Sequence, residues 1–161
     1  MKKFFGMAAI AIVALAASCS KDDNPQPSSD EAIVKVTIEH SANFAKYDET
    51  LNIQVLGNES QTVNLNGIEW GEVKRVQGVA AWFIRAGDIT AQSRTLETSK
   101  KVRSVTVAGV ITPKEYDVEN ATDLTTKITF FVDGKQVKSE TVISTPTQIS
   151  NFSIPIVVAD Y

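Results

Sequence analysis

The chain has 161 residues, one cysteine, one histidine and a formal net charge of −3. One histidine cannot build a multi-histidine metal site, and one cysteine cannot form a disulfide within the chain. Nucleic-acid binding needs a concentrated positive surface, and the sequence has no basic stripe. These features exclude nucleic-acid partners and disulfide scaffolds. They leave apolar burial as the source of stability, for which the chain is long enough.

The first eighteen residues have the three parts of a secretory signal. Lys2 and Lys3 give a positive start, an apolar stretch runs over residues 4–17, and small residues precede Cys19. A membrane-spanning helix needs roughly twenty apolar residues, so this stretch is too short for a permanent span. We predict that residues 1–18 are a signal peptide that is removed.

Residues 15–19, Leu-Ala-Ala-Ser-Cys, resemble the lipobox of bacterial lipoproteins, although Ala16 stands where leucine is usual. The resemblance implies a diacylglycerol thioether on Cys19, cleavage before it, and acylation of the new amino group by a fatty acid such as palmitate. Each buried methylene contributes about 0.8 kcal/mol, so several chains on one cysteine make a lasting membrane anchor. An ordinary signal peptide that happens to contain a cysteine is the alternative.

The residues after Cys19, namely Ser20, Lys21, Asp22 and Asp23, resemble a short export signal of lipoproteins of the Bacteroidota. The resemblance implies an outer-membrane lipoprotein exposed at the cell surface. A periplasm-facing lipoprotein with a merely hydrophilic tether is the alternative. Residues 19–30 are polar with two prolines and read as a lipidated tether and linker, and residues 31–161 form the folded domain.

From residue 31 onward, apolar residues recur at every second position, which is typical of strands with one buried face. The best helix candidate, residues 80–97, is interrupted by Gly87-Asp88, so a strand followed by a loop is favoured there. We predict an all-β domain, a two-sheet immunoglobulin- or fibronectin-like β-sandwich of about eight strands. The alternating sets are 34–38, 51–55, 63–65, 80–84, 105–107, 128–132, 137–143 and 152–158.

Two local signals refine this fold. Asp133-Gly134 between alternating runs predicts a type I′ hairpin, in which both residues have positive φ. Pro155 lies inside the last apolar run, and because proline cannot donate to a central ladder, that strand is predicted to be an edge strand or bent.

Trp70 is the leading candidate for a ligand contact, since it lies on a glycine-flanked segment between Glu69 and Glu72. An indole ring stacks on the apolar face of a sugar while carboxylates accept its hydroxyls; capping of the core is the alternative role. Phe44 and Tyr47, in the polar loop 40–49, are further ligand-binding candidates because loops often carry function, and local packing within the loop is the favoured alternative. His40 is expected at the surface.

No pattern predicts a catalytic site, a metal site or a cofactor. A nucleophile elbow is absent from the sequence, and neighbouring acids such as Asp48 and Glu49 point to opposite faces of a strand. The segment Asp117-Val118-Glu119-Asn120 offers oxygen ligands for a hard cation, but it lacks the ladder of a calcium-binding loop.

These observations favour a non-enzymatic binding or adhesion module on the cell surface, with a glycan or a surface protein as its ligand. The alternative is a structural or anchor component of a surface assembly such as a pilus, because the general plan resembles fimbrillin-type lipoproteins. Those pilins are often cleaved after an arginine near the start, whereas the first arginine here is Arg75. A small hydrolase is the least favoured class.

Overall fold

A computed structural model of the chain describes residues 30–57, 65–66, 73–76, 79–84, 91–115 and 122–161. These residues form ten β-strands and two short 3-10 turns. The strands are β1 (Val34–His40), β2 (Tyr47–Leu56), β3 (Leu65–Asn66), β4 (Val73–Val76), β5 (Val79–Ile84), β6 (Ser93–Thr98), β7 (Ser104–Pro113), β8 (Leu124–Val132), β9 (Lys135–Ser144) and β10 (Ser150–Val157), and the turns are Phe44–Lys46 and Val158–Asp160. The described part of the chain holds no helix long and apolar enough to span a membrane.

The strands form two antiparallel sheets. The first sheet has the order β3-β6-β1-β8-β9, and the second has the order β10-β7-β2-β5-β4. Every strand pair is antiparallel. The predicted two-sheet β-sandwich is confirmed, with ten strands among the described residues where about eight were predicted.

The core lies between the sheets and follows from the alternation. In β2, for example, Leu51, Ile53 and Val55 are buried while the residues between them face outward. Full burial of such a side chain contributes about 1.5–3 kcal/mol. A large cluster fills most of the sandwich, and a smaller cluster of Tyr47, Ile111 and Leu124 closes one end.

Both refinements of the fold are confirmed. Asp133 and Gly134 have φ angles of 46° and 83°, as a type I′ hairpin requires. Pro155 lies in β10, which is an edge strand of the second sheet. The strand at Val79–Ile84 is also confirmed within the region that offered the best helical pattern.

Two strands were not predicted, β4 and β6. The inward-facing residues of β6 are Arg94, Leu96 and Thr98, all of them buried. Two of these three side chains are polar, so a search for alternating apolar residues overlooks the strand. β4 has only four residues and two of them are charged, so an alternation of apolar and polar residues cannot be recognised in it.

Candidate functional site

The sandwich has two distinct ends. The chain enters at the end where the Ile33 amide donates a 3.0 Å hydrogen bond to Asp133 Oδ1 and Ala32 forms a bridge with Val102. We call this the proximal end. From there β1 runs to His40 at the opposite end, which we call the distal end.

The described parts of several connections lie at the distal end: residues 41–46 and 145–149, together with Gln92, Lys114 and Thr122. Strand register places them there, because Tyr47 pairs with Pro113 and Leu124 pairs with Ser144. Loops held at one end of a rigid sandwich are a common location for binding sites. The distal end is therefore the candidate functional site.

The connection 41–46 is tightly bonded to the start of β8. Asn43 Nδ2 donates to the backbone oxygens of Thr122, at 2.8 Å, and Asp123, at 3.2 Å. The Ser41 amide donates to Thr125 O at 2.9 Å, and Ser41 Oγ accepts from the Thr125 amide at 3.1 Å. These bonds fix where the chain leaves the acidic segment Asp117-Val118-Glu119-Asn120.

Lys114 fixes where the chain enters that segment. Its amide donates to Lys46 O and its Nζ donates to Ala45 O, both at 3.0 Å. The same Nζ lies 3.7 Å from Asp48 Oδ1. Lys114 and Thr122, which flank the acidic segment, are thus both bonded to residues 41–46, and the segment itself lies outside the described residues.

A buried charged cluster lies just inside the distal end. Glu49 Oε2 is 3.5 Å from His40 Nε2 and 3.9 Å from Arg94 Nη2, and the His40 and Glu49 side chains are fully buried. His40 Nδ1 is 3.0 Å from Thr126 Oγ1. His40, Glu49 and Arg94 lie near the distal ends of β1, β2 and β6, so their contacts join three strand ends. Since buried charges are costly unless paired, the cluster needs its partners.

The surface location expected for His40 is wrong. Its ring points between the sheets because His40 continues the inward phase of Val34, Val36 and Ile38. The alternation along β2 could also have identified Glu49 as a buried residue, because Glu49 occupies an inward-facing position like Tyr47 and Leu51. The expectation that Asp48 and Glu49 point to opposite faces is confirmed.

Tyr47 does not have the exposed position expected of a ligand contact. The residue is 2% exposed, and its hydroxyl donates to Thr122 O at 3.0 Å, with Ser144 O 3.4 Å away. Burial, reinforced by the charge of Asp123, raises the pKa of Tyr47 above its usual value. It is a packing residue because it begins β2 at an inward position.

Phe44 is half-buried, packs against the small core cluster and stacks on His40 with ring centroids 6.5 Å apart. Its role as a ligand contact remains a prediction. Trp70, Glu69 and Glu72 lie outside the described residues, as do Cys19, Ser20, Lys21, Asp22 and Asp23. The roles predicted for them likewise remain predictions.

The described residues place limits on a metal site. Among them, no three or more His, Cys, Asp or Glu side chains group closely enough to hold a metal ion. Glu49 is unsuited to a cation because Arg94 already stands beside it. Among the described residues next to the acidic segment, Asp123 is exposed.

Solved structures resemble this fold. A domain of unknown function, DUF4425, from Bacteroides vulgatus is 16% identical with a TM-score of 0.56, over 80% of this chain and 97% of that chain. A DUF4425 family protein from Bacteroides ovatus is 16% identical with a TM-score of 0.57, over 78% and 95%. The calcium-bound form of a protein from Parabacteroides distasonis is 19% identical with a TM-score of 0.53, over 82% and 98%. At these identities the likeness shows the fold alone.

The sequence itself gives a family match. The model of a family described as "PLAT/LH2 and C2-like Ca2+-binding lipoprotein" matches residues 3–154, which is nearly the whole chain. No curated protein matches the sequence significantly.

Proposed function

Because this chain belongs to the family of PLAT/LH2 and C2-like Ca2+-binding lipoproteins, we propose that it is a non-enzymatic, calcium-dependent binding module held at a membrane by lipid on Cys19. The ion and its adjoining loops occupy the distal end. The observation that carries this proposal is that Lys114 and Thr122, which flank the acidic segment, both bond to residues 41–46 at that end.

The chemistry of the segment suits the ion. Calcium takes six to eight oxygen ligands from carboxylates, amides and backbone carbonyls. Asp117, Glu119 and Asn120 supply side-chain oxygens within four consecutive residues, and Asp123 follows them at the start of β8. Because Asn43 and Lys114 restrain the flanks of the segment, fewer residues have to be ordered when the ion binds.

The anchor and the site lie at opposite ends of the domain. Residue 30 belongs to the proximal end, and the ten-residue strands that lead away from it span about 33 Å. Residues 20–30 add at most a few tens of Å of reach. A lipid on Cys19 therefore holds the proximal end towards its bilayer and directs the distal end away from it. We place the protein at the outer membrane with the distal end facing the cell exterior.

The proposal is tested by adding calcium to the purified chain. Titration calorimetry should detect binding at micromolar to millimolar calcium, the range of sensors and extracellular modules. A ligand present at 100 times its Kd stabilises the folded state by about 2.7 kcal/mol, so the thermal midpoint should rise relative to the chelated protein.

Matched variants locate the ion. The double variant Asp117→Asn with Glu119→Gln should abolish the calcium-dependent rise in the midpoint. Glu140→Gln, on the exposed β9 strand beside Lys138, should leave it unchanged. A chain that binds no calcium, or a double variant that binds it as well as the unmodified protein does, would contradict the proposal.

A further inference from the structure

Two edge strands, β9 and β10, lie next to each other on one side of the sandwich. β9 ends the first sheet and β10 ends the second. The two strands are joined where Lys138 Nζ donates a 3.2 Å hydrogen bond to Pro155 O. An edge strand has backbone groups that no neighbouring strand occupies, so it can add a strand of another chain. β9 has ten residues, and its free edge is therefore long.

β9 carries two charged residues at inward-facing positions. Directly paired residues of an antiparallel ladder lie on the same face of the sheet. Lys138 pairs with Phe130 and Glu140 pairs with Ile128, and both of these partners are fully buried in the core. Because β9 is at the edge, the Lys138 and Glu140 side chains still reach solvent and are 28% and 50% exposed, with Lys138 Nζ 3.8 Å from Glu140 Oε1. We call these two residues the edge pair.

The ladder between β8 and β9 is interrupted just before the edge pair. Phe131 pairs with Gln136 and Phe130 pairs with Lys138, so Val137 is left out of the register. Val137 packs against the large core cluster instead. A bulge of this kind bends and twists an edge strand, which makes the strand a poorer template for pairing.

The edge of β10 is blocked at the same place. Pro155 has no backbone N–H, so β10 offers no donor at that position. The carbonyl oxygen of Pro155 already accepts the hydrogen bond from Lys138. One lysine side chain therefore connects the two edges and also lies beside the Glu140 carboxylate.

We propose that the edge pair prevents β9 from adding a strand of a second copy of this chain. A second copy presents the same long edge of backbone donors and acceptors, so the two edges are matched in length and in hydrogen-bonding groups. An added strand would cover Lys138 and Glu140 and remove the water that now reaches both side chains. Withdrawing charges from water is costly even when they are paired, so the edge pair opposes the association.

The experiment compares two double variants of equal composition and charge. The edge variant, Lys138→Met with Glu140→Gln, removes both inward charges and nearly keeps the size of the side chains. The control variant, Lys135→Met with Glu97→Gln, makes the same replacements at exposed positions, one at the start of β9 and one on the outer face of the first sheet.

Light scattering measures the protein mass per particle for the detergent-solubilised, full-length mature lipoprotein, in enough detergent to place single copies in separate micelles. The unmodified chain and the control variant should stay single copies. The mass of the edge variant should rise with concentration to at least that of a dimer. Lys138→Arg keeps the positive charge and should also stay a single copy.

Amide hydrogen exchange locates the contact. Association of the edge variant should slow the exchange of β9 amides by about tenfold or more, because the free edge becomes hydrogen-bonded. Thermal midpoints show whether each variant folds, and Lys138→Met alone replaces the edge variant if the double variant does not fold.

Four results would overturn the proposal. They are an edge variant that remains a single copy, a control variant that associates as strongly, association without added protection of the β9 amides, and an unmodified chain that already pairs through β9.

Discussion

Glu49 and His40 meet inside the sandwich, with Glu49 Oε2 3.5 Å from His40 Nε2 and neither side chain exposed. Neither Glu49 oxygen accepts a hydrogen bond, and His40 Nε2 has no hydrogen-bond partner. The Arg94 guanidinium, with Nη2 3.9 Å from Glu49 Oε2, is therefore the positive charge that compensates for burying the carboxylate. Glu49 on the second sheet contacts His40 and Arg94 on the first sheet near the distal end. Replacing Glu49 should therefore lower the free energy of unfolding of the whole domain.

Replacing Glu49 tests this relationship. Glu49→Ala removes the carboxylate and leaves Arg94 without that counter-charge, which should lower the free energy of unfolding by about 3–5 kcal/mol. Asp48→Ala, one residue earlier on the outward face, removes a half-exposed partner of Lys114 and should cost less than about 1 kcal/mol. Urea unfolding monitored by circular dichroism measures both.

Glu49→Gln separates charge from shape, because the amide fills the same space. The decrease in the free energy of unfolding caused by Glu49→Gln should fall between the decreases caused by the two alanine variants. If Glu49→Ala proved no more destabilising than Asp48→Ala, the buried attraction would have no part in holding the sheets together.

The raised pKa of Tyr47 predicts that the folded domain loses stability at alkaline pH. Its folded-state pKa is raised, first by burial and then by the charge of Asp123. Above about pH 10, the unfolded chain loses the phenol proton while the folded chain still holds it. The stability that this shift contributes is complete below that pH and is lost as pH rises through the folded-state pKa.

The variant Tyr47→Phe isolates the effect. At pH 7 it should be about 1 kcal/mol less stable than the unmodified protein, because it lacks the hydrogen bond to Thr122 O. Unfolding curves recorded from pH 7 to pH 11 should show the difference shrinking above about pH 10. A difference that stays constant over this range would argue against the raised pKa.

Gly109 marks a close contact in the core. A Cβ added there would lie 2.6 Å from Phe152 Cζ and 3.0 Å from Leu51 Cδ2. Gly109→Ala should therefore lower stability by about 1–3 kcal/mol through overpacking. Combining it with Phe152→Leu should recover part of that loss, since the ring that clashes is gone. If the double variant were destabilised by the sum of the two single costs, the clash with Phe152 would not be its source.

Lipidation makes a separate prediction. Changing Cys19→Ala removes the sulfur that would carry the diacylglycerol, so the chain should move from the membrane fraction to the soluble fraction. Lys21→Ala leaves the cysteine intact and should remain with membranes. Fractionation followed by mass spectrometry of the amino-terminal peptide distinguishes the outcomes, and an unmodified thiol at position 19 of the native protein would refute the anchor.

The architecture could be predicted from the sequence because the alternation of apolar and polar residues along a strand directly reflects which side chains are buried. Leu51, Ile53 and Val55 belong to one buried face, and the Asp133-Gly134 turn sets the hairpin between β8 and β9. These features are local, so they can be read from a few consecutive residues without knowledge of the partners.

The interior charges were missed because their burial depends on partners far away in sequence. His40, Glu49 and Arg94 are polar, and a pattern search assigns polar residues to the surface. Only the pairing of β1 with β6 and β8, together with the packing of β2 on that sheet, brings them to one place. The order of strands in each sheet was not predicted from the sequence for the same reason.

The central position of β1 in the first sheet has a mechanical consequence. The chain enters at the start of β1, between β6 and β8. If a ligand pulled on the distal end while the lipid resisted at the proximal end, the force would run along the strand axes. The hydrogen bonds of both ladders would then bear the load together in shear instead of opening one after another. A domain loaded in this direction is suited to holding a ligand under flow.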